Sequence, residues 1–352
     1  MNRRKHDSGS LTGVCRSLRS AMAPATKTLL LRSGALGALR GLRPSPRLAI
    51  LRYHAICGPE GYRYASPGIC VSPSAFERHV SYLKTHYAVI SLPAAIEALG
   101  QGRVLPDNAV AITFDDGYAD NLPAARTLHR YGLSATFYIT AGCLAGEQPF
   151  WPSEIRALVA LIRGPVFTLT LNGQEIRFPC TARAERNEAV SRLSRLFKSH
   201  PIAVREHLRQ QQRVIAGVGG IRSPMLTWPQ LAEMRDLGMT IGAHTMTHPN
   251  LPSAGLEDAT REIVESKHRL ERNLSVEVTM FSYPNGGAER YYTPELQQIV
   301  RNAGYEGAAT SRSGFVGPGS DLYGLARVEV SERLEDLIFA LEAERFVSKT
   351  GA

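Results

Sequence analysis

The chain has 352 residues and is 43% hydrophobic, which predicts a globular protein large enough for one α/β domain with an insertion. Its formal net charge of +9 comes from the first 50 residues, which carry ten Lys or Arg and one acidic residue, whereas the rest carries 31 of each sign. A neutral body excludes an extended polyanion-binding surface, so we expect no nucleic-acid partner.

The basic N-terminal arm, residues 1–47, has three interpretations. It is a solvated tail outside the fold, a helix lying on an anionic membrane surface, or a targeting segment. Its apolar runs are too short for a secretory signal, and the chain lacks the roughly 20 consecutive apolar residues that span a bilayer. We therefore expect a cytoplasmic protein, peripheral at the inner membrane if the arm binds there. Five scattered cysteines without a C-x-x-C pair predict free thiols in a reducing compartment.

From residue 48 onward, predicted strands and helices alternate along the chain. The predicted strands are LAILRYH, YAVISL, AVAITF, SATFYIT, MTIGAH, VEVTMFSYP, EGAAT and LARVEV. The segments between them have helical periodicity, and several begin with a Ser or Thr cap and end at glycine. This order predicts a parallel sheet, either closed as a barrel or doubly wound, with the chemistry in the loops after the strands.

Residues 150–225 interrupt this alternation. Two alternating runs flank Asn172-Gly173, which is a strong signal for a β-hairpin. A long polar helical stretch follows over about residues 182–215, and then a glycine-rich piece. We interpret this part as an insertion, a lid or side element, in a domain that covers residues 48–352.

Residues able to bind a metal follow two of the predicted strands. Asp115 and Asp116 end one strand, and His244 ends another, with His248 four residues later. If these histidines lie on one helical turn, their imidazoles share a face and complete a two-histidine, one-carboxylate metal site with a carboxylate from the aspartate pair. Taken separately, each motif has a simpler interpretation. The histidines could be surface residues, and Asp-Asp-Gly is also turn chemistry.

Three segments in this order, TFDDGYADN, HTMTH and YPNG, resemble the polysaccharide deacetylase family, also called the NodB-homology or carbohydrate esterase 4 family. The resemblance implies a distorted (β/α)7-type barrel that removes N-acetyl groups from sugars with a divalent metal, zinc in the first place and Co²⁺, Ni²⁺ or Mn²⁺ as alternatives. The resemblance implies that Asp115 is the general base and that the metal ligands are Asp116, His244 and His248. It also implies that Asn285 and the nearby Tyr283 contact the substrate and the oxyanion.

The chain departs from this family at two positions. Ser282 stands where many members have an arginine that orients the base, and no histidine follows His268 to supply the usual late general acid. The early Tyr-His motif resembles the subgroup of biofilm poly-N-acetylglucosamine deacetylases. It makes His54 a candidate acid, with a buried structural histidine as the alternative. Arg327 is a candidate partner of Asp115, with a plain surface arginine as the alternative.

The function implied is hydrolysis of an acetamide on an N-acetylated polysaccharide or a lipid-linked sugar. An acetylated glycan or glycolipid is therefore the expected partner. One rival is the same fold acting on an O-acetyl ester or a non-sugar amide. The other rival is a non-catalytic glycan-binding protein, which the two departures favour and the complete aspartate and histidine motifs oppose.

Overall fold

A computed structural model of the protein describes residues 33–221, 224–286 and 291–342. In these residues the strands are β1 (Ala49–Tyr53), β2 (Ala88–Val89), β3 (Ala109–Phe114), β4 (Thr136–Ile139), β5 (Val166–Leu171), β6 (Gln174–Pro179), β7 (Thr240–Ala243), β8 (Met280–Ser282), β9 (Gly307–Ser313) and β10 (Leu325–Glu329). The α-helices are α1 (Ala35–Leu42), α2 (Pro73–His86), α3 (Leu92–Gly100), α4 (Asn121–Arg130), α5 (Trp151–Leu161), α6 (Arg183–Lys198), α7 (Ile202–Ala216), α8 (Trp228–Asp236), α9 (Leu251–Ala254), α10 (Leu256–Leu274), α11 (Pro294–Asn302) and α12 (Leu334–Glu342).

Seven parallel strands close into a barrel in the order β1, β10, β9, β8, β7, β4 and β3. The ring closes because β1 pairs with β10 on one edge and with β3 on the other. The short strand β2 pairs only with the start of β3. The predicted (β/α)7-type barrel is therefore confirmed, and the doubly wound alternative is excluded.

The sequence AVAITF of β3 shows how the barrel divides its core. All six residues are buried, as expected for a strand covered on both faces. Val110, Ile112 and Phe114 pack outward against the helices, whereas Ala109 and Ala111 belong to the cluster inside the barrel. Side chains alternate along a strand, so the next inward positions, toward its carboxyl end, belong to Thr113 and Asp115. The apolar interior therefore gives way to polar residues at one end of the barrel.

Helix signals in the sequence match most helix starts. Ser72 caps α2 by accepting the Ala75 N–H, and Thr227 forms a capping box with Gln230 at the start of α8. The helical stretch over residues 182–215 is two helices rather than one. It breaks before α7 at Pro201, which has no N–H to continue a helical ladder.

The insertion has a small core of its own. Asn172 and Gly173 have φ values of 51° and 77°, the left-handed conformations that a two-residue hairpin turn requires. The hairpin and helices α5 to α7 bury a separate apolar cluster that includes Phe167, Leu193 and Leu208. The predicted hairpin-plus-helix element is therefore present.

Part of the basic arm packs against the barrel domain. Residues 1–32 lie outside the described residues, but α1 is helical and its Arg40 forms a 3.4 Å ion pair with the buried Glu342 at the end of α12. Arg40 also donates to the Tyr82 hydroxyl at 3.2 Å. This arginine ties part of the arm to the barrel domain, and a membrane-surface role for the arm stays a prediction. Within the described ranges, no helix has both the length and the apolarity needed to cross a bilayer.

Candidate metal centre and active site

Polar side chains meet at the carboxyl end of the barrel, where the sequence analysis placed a site. His54 follows β1, Asp115 and Asp116 follow β3, and His244 follows β7. Asp115 and Asp116 are 3% and 5% exposed, and His244 is 2% exposed. Burying charged or ionisable groups is costly unless they are paired, so this cluster needs a specific arrangement of partners.

Asp116, His244 and His248 form the one group of three potential metal ligands found among the described residues. Their ligand atoms all lie within 4.8 Å of one another. Asp116 Oδ1 is 3.5 Å from His244 Nε2 and 3.3 Å from His248 Nε2. Two imidazoles and one carboxylate around one point are a common donor set for zinc and for related divalent transition metals.

The hydrogen bonds and burial of these three residues fit a metal site. The Nδ1–H of His244 donates to the Ser282 carbonyl at 2.7 Å, which directs the Nε2 atom of the ring toward Asp116. Burial lowers the pKa of His248 to about 4, so its ring is neutral near pH 7. Burial raises the pKa of Asp116, but the two histidines outweigh it and hold that pKa well below its usual range. Metal binding needs an anionic carboxylate and an unprotonated ring nitrogen on each histidine ligand.

The predicted helical turn between the histidines is wrong. Residues 244–248 form a loop, in which Thr245 and His248 have φ values of 67° and 57°. The Thr245 hydroxyl donates to the His244 carbonyl at 2.5 Å and accepts the His248 N–H at 3.0 Å. This tight turn, rather than helical spacing, brings the ring centroids to 4.9 Å. Positive φ is rare for a β-branched residue and is typical of functional sites.

A residue in the left-handed conformation also positions the aspartate pair. Neighbouring residues on a strand point to opposite sides, yet both carboxylates serve one site. Asp116 has a φ of 79° and Gly117 a φ of 87°, so the chain reverses its course directly after Asp115. Asp115 keeps the inward direction of β3, and the left-handed Asp116 carries its carboxylate to the two histidines.

Asp115 is held by Arg327 in a buried two-bond ion pair. Arg327 Nη1 and Nη2 donate to the two carboxylate oxygens at 2.7 Å and 2.6 Å. The same guanidinium donates to the Thr310 carbonyl at 2.8 Å and to the Ser282 hydroxyl at 3.2 Å. Burial raises the pKa of Asp115, but the charge and hydrogen bonds of Arg327 outweigh it and hold that pKa well below its usual range. Arg327 is thus no surface arginine, and Ser282 contacts it.

His54 lies beside this ion pair at the mouth of the barrel. Its Nε2 is 3.8 Å from Asp115 Oδ2, and its side chain is 19% exposed. Burial lowers the pKa of His54 below its ordinary value, so the ring is neutral near pH 7. The Asn121 side chain donates to the His54 carbonyl at 2.8 Å and fixes its backbone. His54 therefore lies against Asp115 and retains access to solvent.

The two residues expected at the oxyanion have different positions. Asn285 has a φ of 74°, and its side chain donates to the Pro249 carbonyl at 3.1 Å in the loop after the histidines. Tyr283 is 1% exposed, stacks on Tyr292 and donates its hydroxyl to the Tyr323 carbonyl. A carbonyl therefore engages the Tyr283 hydroxyl, and a substrate role for Tyr283 stays a prediction.

Three residues whose role the sequence analysis missed hold the loop that carries His244 and His248. Glu262 on α10 accepts the N–H groups of Met246 and Thr247 at 2.7 Å and 2.8 Å, and the Thr247 hydroxyl at 2.5 Å. From the insertion, Arg205 donates to the Thr247 hydroxyl at 2.9 Å, and the Trp151 indole donates to the His248 carbonyl at 2.9 Å. The insertion therefore supports the loop from outside the barrel. Only Glu262 left a signal in the sequence, an acidic residue within the buried stripe of α10.

We predict that Glu262→Gln weakens zinc binding by about 10- to 100-fold, the usual effect of losing a partner that orients ligands. A glutamine amide cannot accept all three hydrogen bonds, so the loop loses part of its support. Isothermal titration with Zn²⁺ measures the change, and circular dichroism checks that the variant is folded. Glu265→Gln, at an exposed position of the same helix, is the matched control. Equal zinc affinity of Glu262→Gln and wild type would contradict this role.

Comparison with known proteins gives a family for this arrangement. The family model described as polysaccharide deacetylase matches residues 102–162 and 178–308, more than half of the chain. The match contains both aspartates, both histidines of the loop and Asn285. It leaves out most of the β5–β6 hairpin, and His54 and Arg327 lie outside it.

One curated relative and several solved structures are similar to this chain. A Bacillus subtilis (strain 168) protein named provisionally as the polysaccharide deacetylase YxkH is 23% identical over 300 residues, covering 85% of this chain and 76% of its own. The Streptococcus pyogenes deacetylase PplD, solved in complex with acetate, aligns with a TM-score of 0.54 at 20% identity over 88% of this chain and 100% of its own.

IcaB from Ammonifex degensii aligns with a TM-score of 0.54 at 17% identity, covering 85% of this chain and 97% of its own. At these identities the solved structures establish the fold alone, whereas the family match spans the barrel and the metal-binding motifs. The chain belongs to the polysaccharide deacetylase family.

Proposed function

We propose that the protein is a metal-dependent hydrolase that removes N-acetyl groups from an N-acetylated polysaccharide or a lipid-linked sugar. The observation that carries the proposal is the buried Asp115–Arg327 pair beside Asp116, His244 and His248. Members of the family act on acetylated glycans and are generally dependent on a divalent metal. Asp116, His244 and His248 would hold that metal, for which we propose zinc. When bound, it would supply Lewis acidity that activates water and polarises the acyl carbonyl.

Asp115 is the proposed general base. Because Arg327 holds its pKa low, Asp115 is ionised at neutral pH and ready to accept a proton from water. Hydrogen bonds from Arg327 to both oxygens also fix the carboxylate plane. The low pKa makes Asp115 a weak base, which suffices only for a water whose acidity has been raised.

Asn285 is the proposed oxyanion donor. Its left-handed backbone sets the direction of its N–H, and its carbonyl accepts from the Ser311 hydroxyl at 2.8 Å, which fixes the peptide. Within the described residues, this N–H has no hydrogen-bond acceptor. A fixed backbone donor of this kind stabilises the negative charge that develops on an acyl oxygen.

His54 is the proposed proton carrier. Its Nε2 is 3.8 Å from Asp115 Oδ2, so a small movement of either side chain brings the two atoms within hydrogen-bond distance. A proton taken by the carboxylate can then pass to the ring. The neutral ring can accept that proton and donate it to the departing amine. An amine leaves in protonated form, whereas an ester alcohol departs more easily, so a proton carrier beside the base favours amide over ester substrates.

Acetate release from N-acetylglucosamine oligomers tests the proposal. We expect release by the zinc-loaded protein, loss of release after chelation, and recovery when zinc is restored. Asp116→Asn is expected to lose both zinc and activity. An O-acetylated glycan tested beside it addresses the ester alternative. Binding of oligomers without acetate release, with zinc bound, would overturn the proposal in favour of a glycan-binding role.

A further inference from the structure

Two cysteine thiols are in contact within the segment that joins β1 to α2. The Sγ atoms of Cys57 and Cys70 are 3.2 Å apart, and the residues are 4% and 8% exposed. All four cysteines within the described residues are free thiols in this structure. The other two have different neighbours, since Cys143 faces the Met246 carbonyl and Cys180 faces the Gly164 carbonyl.

The backbone on both sides fixes this contact. Ala55 and Cys70 form a parallel bridge, and the Val71 N–H donates to the Ala55 carbonyl at 3.1 Å. Gly61 covers Cys57 so closely that a Cβ at this position would lie 2.2 Å from its Sγ. Cys57 therefore has little room to turn away from Cys70, and the thiols are held facing each other.

We propose that Cys57 and Cys70 are a disulfide-forming pair, oxidised by exchange with a low-molecular-weight disulfide such as glutathione disulfide. One protein thiolate attacks glutathione disulfide, forms a mixed disulfide and releases one glutathione. The second protein sulfur attacks the protein sulfur of the mixed disulfide, which forms the Cys57–Cys70 bond and releases the second glutathione. The protons of the two protein thiols end on the two glutathione molecules, and glutathione disulfide is the species reduced.

The bond would restrain a segment that supports His54. It closes a ring over residues 57–70, and Tyr64 within that ring donates to Asp120 Oδ2 at 2.9 Å. Asp120 Oδ1 accepts the Ile56 N–H at 2.9 Å. Burial raises the pKa of both thiols, so oxidation is slow near neutral pH and faster at higher pH. The restraint acts mainly on the unfolded chain, which loses conformations when the ring is closed.

Peptide mapping tests the pair directly. The full chain is equilibrated with glutathione disulfide at pH 8, alkylated under denaturing conditions and digested with trypsin. Arg52, Arg63 and Arg78 are cleavage sites, so Cys57 lies in the peptide of residues 53–63 and Cys70 in that of residues 64–78. We expect these two peptides to be linked without reductant and separated by reduction. The link should persist in Cys180→Ser and vanish in Cys70→Ser.

Thermal unfolding gives a second measure. We expect the oxidised protein to melt about 3–5 °C above the reduced protein, with no such shift in Cys70→Ser. Alkylation of both cysteines after oxidation, a stable glutathione adduct on either, or linkage to another cysteine would overturn the proposed pair. A 53–63 to 64–78 link without a rise in melting temperature would overturn the restraint. Neither readout depends on catalytic activity, so the result stands apart from the proposed function.

Discussion

Arg327→Met is expected to lower the free energy of unfolding by about 3–5 kcal/mol, the usual cost of removing one partner from a buried ion pair. Arg327 is 2% exposed, and Asp115 would remain in the barrel without its two charged hydrogen bonds. The methionine side chain is of similar length but offers no hydrogen-bond donor. Urea unfolding of the metal-free protein, followed by circular dichroism, measures the loss.

The double variant Asp115→Asn/Arg327→Met is the control for this prediction. With both charges removed, we expect much of the lost stability to return, since the penalty comes from an uncompensated charge. The pH dependence gives a second check. The pKa of Asp115 is depressed in the folded state, so the stability that the pair contributes is present above pH of about 4 and fades on acidification. The difference between wild type and Arg327→Met should shrink in the same range. A constant difference down to pH 3 would contradict the ion-pair explanation.

Asp115→Asn is expected to lower kcat for acetate release by about 10²- to 10⁴-fold, the usual contribution of a general base. Asparagine retains the shape of the side chain but cannot accept the proton from water. We expect KM to change little, because the substrate is not proposed to bind through this carboxylate. Zinc content should stay equal to wild type, since Asp115 is not in the ligand group.

Stability has to be separated from catalysis in this variant. Asp115→Asn leaves Arg327 without its counter-charge, although the Thr310 carbonyl and the Ser282 hydroxyl still accept from it. Rates are therefore measured well below the melting temperature and normalised to folded protein. Asp107→Asn, an exposed position before β3, is the matched control. Retention of more than a tenth of wild-type kcat would exclude Asp115 as the base.

Local patterns in the sequence predicted much of the barrel and the residues at its mouth. Alternation of apolar strands and capped helices indicated parallel β-α units, and polar residues after AVAITF and MTIGAH indicated where a site would form. Each of these signals depends only on residues that are close together in the sequence. They can therefore be recognised without knowledge of the fold. The break at Pro201 was equally local, but the long polar pattern around it concealed two helices.

The parts that the sequence could not settle depend on distant contacts. Arg327 and Asp115 are 212 positions apart, and nothing near either residue shows that they form a pair. The loop of residues 244–248 owes its shape to Glu262, Arg205 and Trp151, which reach it from three different helices. Helical spacing was a reasonable inference from H-x-x-x-H alone, and the left-handed Thr245 overturned it.

The closure of the barrel by β10 has a consequence for the order in which the protein is made. Both the second neighbour of β1 and the partner of Asp115 come from this strand, the last of the barrel strands in chain order. A nascent chain that has reached β9 carries the complete aspartate and histidine motifs but an open ring and an unpaired acid. Folding of this end of the barrel therefore waits for β10, and in that interval the exposed edges of β1 and β9 are open to wrong pairing.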